Sequence, residues 1–129
     1  REKNISGKRE IYLVIEDRKE SPNHMICIKE IVDYIKQFTQ NVKTYRSVKP
    51  DIVFDDNEKE FAIEVETGKI NNRNELKEKV RNLKKYYGDR WFFFVTDRNL
   101  RRFYKGLGET YSKRNIKLKI DKIFKNSGN

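Results

Sequence analysis

The spacing of hydrophobic residues divides the first part of the chain into a strand, a helix and a second strand. Residues 10–16 alternate between two sides, which is typical of a β-strand. Residues 21–39 open with Ser-Pro, a favourable helix start, and then place an apolar residue at every third or fourth position. Residues 42–48 again have strand character, and Pro50 interrupts them. These patterns predict the order β-α-β.

The middle of the chain predicts a hairpin followed by an amphipathic helix. Residues 51–54 and 61–66 have strand character and are joined by a polar turn of hairpin length. Asn72 is a suitable N-cap for the following segment, in which a narrow apolar stripe crosses a very basic helix. Gly88 is placed to end that helix, because glycine is favoured just past a helix C-terminus.

The last third of the chain predicts two strands around a short helix. Residues 91–95 are uniformly apolar, which is typical of a strand buried on both faces. Residues 100–107 predict a short helix that a glycine ends, and residues 116–120 alternate between apolar side chains and lysines, which predicts a final strand. The complete order, β-α-β-β-β-α-β-α-β, predicts an α/β fold with a mixed central β-sheet flanked by helices.

The composition favours one folded domain over residues 1–129. Leu, Ile, Val and Phe together account for 35 of the 129 residues, more than the roughly 20% below which a charged chain stays disordered. No apolar run is long enough to cross a membrane, so a membrane partner is not expected. The lone Cys27 leaves no internal disulfide and favours a reducing, cytoplasmic compartment. A start at Arg1 rather than Met is compatible with further domains of a longer parent chain. The single alanine and the many Lys and Ile residues are typical of a thermophilic or AT-rich source.

The charge is distributed unevenly along the chain. The formal net charge is +10, but residues 1–66 carry −2 and residues 67–129 carry +12. An excess of that size over half a domain attracts a polyanion, most simply a nucleic acid, and the alternative is a solubilising surface. The acidic residues of the first half cluster around one motif, which favours the nucleic-acid interpretation.

That motif places two acidic residues on one side of an otherwise apolar strand. In the strand over residues 61–66, alternation puts Glu64 and Glu66 on the same side as Ala62. Two carboxylates under a covering helix are costly unless a cation lies between them. Asp51 opens the neighbouring strand, where hairpin pairing would bring it against Glu64. Three converging carboxylates form a hard-oxygen site suited to Mg²⁺ or Mn²⁺. The alternative is a solvated sheet face paired with lysines.

Pro50-Asp51 followed by Glu64-Val65-Glu66 resembles the motif of the PD-(D/E)xK nuclease superfamily, which includes archaeal Holliday-junction resolvases and many restriction endonucleases. The predicted helix–strand–hairpin–helix–strand order over residues 21–95 is also similar to the core of that superfamily. The resemblance covers most of the chain and implies a restriction-endonuclease-like core.

The resemblance also implies roles for the residues of the motif. Asp51 and Glu64 would hold a divalent metal ion, Mg²⁺ or Mn²⁺, together with the backbone carbonyl of Val65. In most of the family a lysine occupies the position of Glu66 and orients the attacking water. Some restriction endonucleases carry Glu there and remain active, so Glu66 would be an additional metal ligand or the base that orients the water.

Two lysines could supply the positive charge that the family's motif lysine provides and that Glu66 lacks. Lys69 follows the strand just after Gly68, and Lys79 lies at the border of the apolar stripe of the next helix. Members of the family show this lysine relocated to the following helix, which favours Lys79, and a solvated lysine is the alternative at both positions. His24, the only histidine, falls on the apolar side of the first helix. It is either a partly buried helix-start residue or a group that reaches the metal or a phosphate.

These observations lead to the interpretation of a metal-dependent DNA endonuclease domain of resolvase or restriction type. The alternative is a nuclease fold that no longer cleaves and serves as a DNA-binding or docking module in a mobile-element or DNA-transfer protein. A third interpretation is an RNA-binding or protein-interaction domain without a metal. The expected partner is DNA, and the resemblance also implies a homodimer. The expected phosphate contacts are Lys77, Lys84, Lys85, Arg98, Arg101 and Arg102.

Overall fold

A computed structural model describes residues 22–45, 50–68 and 72–126. In chain order these residues form α1 (Pro22–Ile35), β1 (Val42–Thr44), β2 (Ile52–Asp55), β3 (Glu60–Glu66), α2 (Arg73–Tyr87), β4 (Trp91–Val95), α3 (Arg98–Lys105), β5 (Thr110–Tyr111) and α4 (Ile116–Lys125). Within these ranges no helix is both long and apolar enough to cross a membrane.

The five strands form one mixed sheet in the order β1-β2-β3-β4-β5. β1, β2 and β3 are antiparallel neighbours, whereas β4 runs parallel to β3 and β5 runs parallel to β4. β2 therefore begins at the end of the sheet where β3 and β4 finish. We call this end of the sheet the site end, because the candidate side chains described below meet there.

Strand alternation places helices on both faces of the sheet. Ile63 and Val65 of β3 face the larger core, which α1 and α4 cover, and Ala62 faces a second core, which α2 and α3 cover. β4 contributes to both cores, with Phe92 and Phe94 on one side and Trp91, Phe93 and Val95 on the other. All five β4 residues are buried, so the prediction of a strand buried on both faces is confirmed. The α/β fold with a mixed sheet flanked by helices is confirmed in the same way.

Local sequence signals fix the ends of the helices on the second face. The Asn72 side chain accepts a hydrogen bond from the backbone N–H of Glu75 and caps α2. Gly88 ends α2 with φ of +65°, a conformation that favours glycine. The Asp97 side chain accepts from the N–H of Leu100 and caps α3. These caps set where α2 begins and ends and where α3 begins.

The predicted final strand is wrong. Residues 116–125 form α4, and the fifth strand is instead Thr110–Tyr111, paired with β4. The buried residues of α4 are Ile116, Ile120, Ile123 and Phe124, a helical spacing that continues past the segment read as a strand. Leu118, which the strand pattern grouped with Ile116 and Ile120, is 69% exposed. The described part of the chain therefore runs α-β-β-β-α-β-α-β-α.

Two other predictions differ in extent. The first helix ends at Ile35 rather than near residue 39, and of the strand predicted over residues 42–48 only Val42–Thr44 is a strand among the described residues. The strand predicted over residues 10–16 and the Ser21 cap lie outside the described residues.

Candidate active site

Asp51 and Glu64 meet at the site end of the sheet. Ile52 pairs with Ile63 across the antiparallel β2–β3 ladder, so the residues on either side of that pair, Asp51 and Glu64, also face each other. The Asp51 carboxylate accepts a hydrogen bond of 2.8 Å from the backbone N–H of Val65, which fixes its orientation. Glu64 is only 6% exposed. The backbone pairing of β2 and β3 therefore brings two carboxylates together in a largely buried place.

Lys79 of α2 reaches the same place from the helix that covers this face. Its ammonium lies 3.1 Å from Oε2 of Glu66 and 3.6 Å from Oε1 of Glu64. Glu66 shares a side of β3 with Glu64 and is 8% exposed. The structure thus puts Asp51, Glu64, Glu66 and Lys79 into one cluster, and it places Lys79 where the sequence analysis favoured it. Lys69 lies outside the described residues.

The cluster holds more negative than positive charge. Burial, and then repulsion by Asp51, raise the pKa of Glu64 well above its usual value, although the Lys79 ammonium works in the opposite direction. Burial also raises the pKa of Glu66, again against the effect of Lys79. Burial of Lys79 disfavours its charge, but attraction by Glu64 and Glu66 outweighs this and raises the pKa of Lys79. Lys79 is therefore charged at neutral pH and only partly compensates the surrounding carboxylates.

His24 approaches the cluster from the other face of the sheet. It lies in the first turn of α1, is 8% exposed, and its Nε2 is 2.9 Å from the carbonyl oxygen of Val65 and 3.4 Å from Oδ2 of Asp51. Because a carbonyl oxygen can only accept, Nε2 donates this hydrogen bond. A carbonyl oxygen has a second lone pair, so the bond leaves Val65 able to bind another group. His24 is therefore both a buried helix-start residue and a neighbour of the motif.

The donor set fits a hard divalent cation, although its groups are not arranged around one. Within residues 22–45, 50–68 and 72–126, no three Asp, Glu, His or Cys side chains form a group that could hold a metal ion as they stand. Mg²⁺ is usually bound by one or two carboxylates, with waters and substrate phosphates completing its coordination. Asp51, Glu64 and the Val65 carbonyl could supply such oxygens. A cation there would also relieve the repulsion that raises the pKa of Glu64.

The basic residues proposed for DNA contacts fall into two groups. Arg98, Arg101 and Arg102 lie on α3, which directly follows β4 and therefore starts at the site end of the sheet. Arg98 opens this helix, and Arg102 lies in its last turn. Within the described residues no carboxylate pairs with these arginines, and the buried Nε of Arg101 has no hydrogen-bond partner there.

Lys84 and Lys85 are placed differently. They occupy the last turn of α2, which leads into the start of β4 at the opposite end of the sheet. Lys77 is exposed on the same helix as Lys79. A ligand bound at the site end would therefore meet the α3 arginines before it met Lys84 and Lys85.

Sequence reasoning missed one residue that supports the site. Tyr104 of α3 is fully buried, and its hydroxyl donates a hydrogen bond of 2.9 Å to the carbonyl of Gly68, just after β3. This bond ties the chain leaving β3 to α3. A tyrosine on an apolar helix face is read most simply as core, and its hydroxyl needs a partner that only the tertiary structure identifies.

Comparisons with protein-family models, with curated proteins and with solved structures give no match for this chain. The candidate site is therefore defined by its own residues and their geometry.

Proposed function

We propose that this chain is a metal-dependent DNA endonuclease domain with a restriction-endonuclease-like core. The observation that carries the proposal is the buried meeting of Asp51 and Glu64 across β2 and β3, with the Lys79 ammonium 3.6 Å from Glu64. Carboxylates can hold a divalent cation that activates water and polarises a phosphate, and a lysine can stabilise the charge that develops in the transition state. The motif that resembles the PD-(D/E)xK superfamily contains these same two acids.

A purely structural ion cluster explains this arrangement less well. Within the described residues, three carboxylates face one lysine, and His24 adds a positive charge only when it is protonated. Uncompensated buried charge destabilises a fold, and apolar residues of similar size would pack there at lower cost. Buried acids that repel one another, and whose pKa values are therefore shifted, are typical of functional sites. A binding site for a cation gives the excess negative charge a role.

The two facing acids and the lysine have different proposed tasks. Asp51, Glu64 and the carbonyl of Val65 would hold Mg²⁺ or Mn²⁺, and the Val65 N–H keeps the Asp51 carboxylate oriented. The bound ion would polarise the scissile phosphate and lower the pKa of a water molecule. Lys79 would stabilise the negative charge that develops on the phosphate in the transition state.

The charge distribution supports DNA as the substrate. The +12 balance of residues 67–129 is carried largely by α2, α3 and α4, and the α3 arginines start at the site end. Arginines without carboxylate partners are available to phosphate oxygens, which they bind through several N–H groups at once. Such contacts position a duplex without reading its sequence.

The test is cleavage of supercoiled plasmid and of four-way-junction DNA with Mg²⁺ or Mn²⁺, for the parent and for Asp51→Asn and Glu64→Gln. We expect cleavage by the parent and at least a hundredfold lower rate in both variants. Gel shifts in EDTA should show DNA binding that is unchanged or tighter in the variants, because each removes a negative charge that repels phosphate. Asp33→Asn, an exposed acid paired with Lys29 on α1, is the matched control and should cleave like the parent.

A parent protein that binds DNA but cleaves neither substrate with either metal would contradict the proposal. That result would favour the alternative of a nuclease fold retained as a DNA-binding or docking module. Loss of folding in both variants, seen as loss of DNA binding together with a lower melting temperature, would favour a structural role for the cluster.

A further inference from the structure

Glu66 stands apart from the two acids that face each other across β2 and β3. It lies two residues beyond Glu64 on the same side of the strand, a distance of about 7 Å between Cα atoms at ordinary strand rise. Glu64 and Glu66 both have β4 neighbours, Phe93 and Val95, but β2 begins at Ile52, opposite Ile63, so Glu66 lies farther from the start of β2 than Glu64 does. Asp51 is across from Glu64, not from Glu66. Among the described residues, Asp51, Glu64 and Glu66 do not form a group that could hold one metal ion.

Among the described residues, the ion-pair partner of Glu66 is the ammonium of Lys79. The Glu66 Oε2–Lys79 Nζ distance of 3.1 Å is a hydrogen bond, whereas the Glu64 Oε1–Lys79 Nζ distance of 3.6 Å is an ion pair without one. Glu66 thus contributes the shorter of the two contacts that define where the ammonium sits.

We propose that Glu66 is a positioning residue: its carboxylate holds the Lys79 ammonium at the site and is neither a metal ligand nor the base that activates water. This inference rests on the proposed nuclease function. Lys79 projects from a helix on a flexible four-carbon stem, and fixing such a side chain in one position costs conformational entropy. A second carboxylate offsets that cost and shares the ammonium with Glu64. Without Glu66, the ammonium would pair with Glu64 alone and move toward the oxygen that is needed for the cation.

The arrangement also accounts for a glutamate at the position where most of the family carries a lysine. The positive charge reaches the site from α2 rather than from the strand, and the strand position supplies its counter-ion. Glu66 and Lys79 together would then perform the task of one strand lysine.

The test compares Glu66→Gln, Lys79→Gln and the double variant Glu66→Lys/Lys79→Gln with the parent, with Glu58→Gln and Lys36→Gln as exposed controls. Single-turnover DNA cleavage at saturating Mn²⁺ and Mn²⁺ affinity by calorimetry are both measured, and melting temperature confirms that each variant folds. Glu66→Gln should reduce the cleavage rate 10- to 100-fold but weaken Mn²⁺ binding less than tenfold, whereas Glu64→Gln should weaken it more than a hundredfold. The double variant, which has no carboxylate at position 66, should cleave at least tenfold faster than either single variant.

Faster cleavage by the double variant would separate a positioning role of Glu66 from a structural one. The double variant restores an ammonium at the site, but it does not restore the Glu66–Lys79 ion pair. The inference is overturned if Glu66→Gln weakens Mn²⁺ binding as much as Glu64→Gln does, or if the double variant cleaves no faster than the single variants. Either result leaves the nuclease function in place. A parent that neither binds Mn²⁺ nor cleaves DNA removes the proposed function and this inference together.

Discussion

Replacing Lys79 with methionine should destabilise the protein in a manner that depends on pH. Methionine keeps most of the apolar stem but removes the ammonium that lies 3.1 Å from Glu66 and 3.6 Å from Glu64. At an effective dielectric constant of about 20, each of these pairs contributes roughly 5 kcal/mol of Coulomb attraction. Much of this is offset by the cost of removing the charges from water. Variants that break one partner of a buried pair typically lose about 3–5 kcal/mol.

The expected loss lies at the lower end of that range, about 3 kcal/mol in the free energy of unfolding at pH 8. The Lys79 side chain is 31% exposed, so solvent screens it in part, whereas the two glutamates are 7% and 10% exposed. The carboxylates left behind cannot reach water easily, and they will be partly neutralised by binding protons.

The pH dependence follows from the raised pKa of both glutamates. Because the folded protein binds these protons more tightly than the unfolded chain, stability falls as pH rises above the ordinary glutamate range. Without the ammonium both pKa values rise further, so the fall is steeper in the variant. The difference between variant and parent should therefore be small near pH 4.5 and largest at pH 8.

Urea unfolding at pH 4.5, 6 and 8 in EDTA measures these differences. Lys77→Met, an exposed substitution on the same helix, should change stability by less than about 0.5 kcal/mol at every pH. Adding Mn²⁺ should recover part of the loss in Lys79→Met, because a cation bound to Asp51 and Glu64 would relieve their repulsion. A Lys79→Met protein as stable as the parent at pH 8, or a difference that does not grow with pH, would refute the buried-cluster reasoning.

Three further predictions concern the core and the DNA contacts. Ile63→Ala should lower the free energy of unfolding by about 2–5 kcal/mol in urea titrations, because Ile63 is fully buried in the larger core; a loss below 1 kcal/mol would show that the site is not tightly packed. Gly108→Ala should cost about 1–3 kcal/mol, since its Cβ would lie 2.5 Å from the indole of Trp91. Gly106→Ala is the control and should be neutral or slightly stabilising, because φ there is −70° and the nearest atom is 3.9 Å away. In fluorescence titrations with duplex DNA, the slope of log K against log salt should flatten by up to about 2.7 when three phosphate contacts are lost. That flattening is expected for the triple variant Arg98→Ala/Arg101→Ala/Arg102→Ala. The triple variant Lys77→Ala/Lys84→Ala/Lys85→Ala should flatten the slope less. Equal flattening in both variants would contradict an interface at the site end.

The sequence by itself determined the elements whose apolar and polar residues follow a clear pattern within a few neighbouring positions. Alternation over residues 61–66 placed Ile63 and Val65 opposite Glu64 and Glu66, and the structure agrees. The uniformly apolar residues 91–95 are typical of a strand covered on both faces, and they form one. Caps such as Asn72 and Gly88 act through bonds within a few residues, so they too were readable from the sequence.

Tertiary structure decided the features for which the local hydrophobic pattern fits two kinds of element or gives no signal. The alternation Ile116-Lys117-Leu118-Lys119-Ile120 fits a strand as well as a helix, and packing of Ile116 and Ile120 against the larger core selects the helix. β5 has only two residues, too few to give a periodic signal, and it is defined by its parallel pairing with β4. The approach of Lys79 to Glu66, and of His24 to Val65, joins residues 13 and 41 positions apart. Local periodicity places a side chain on a face of its own element, but only the packing of elements against one another brings two such faces to the same point.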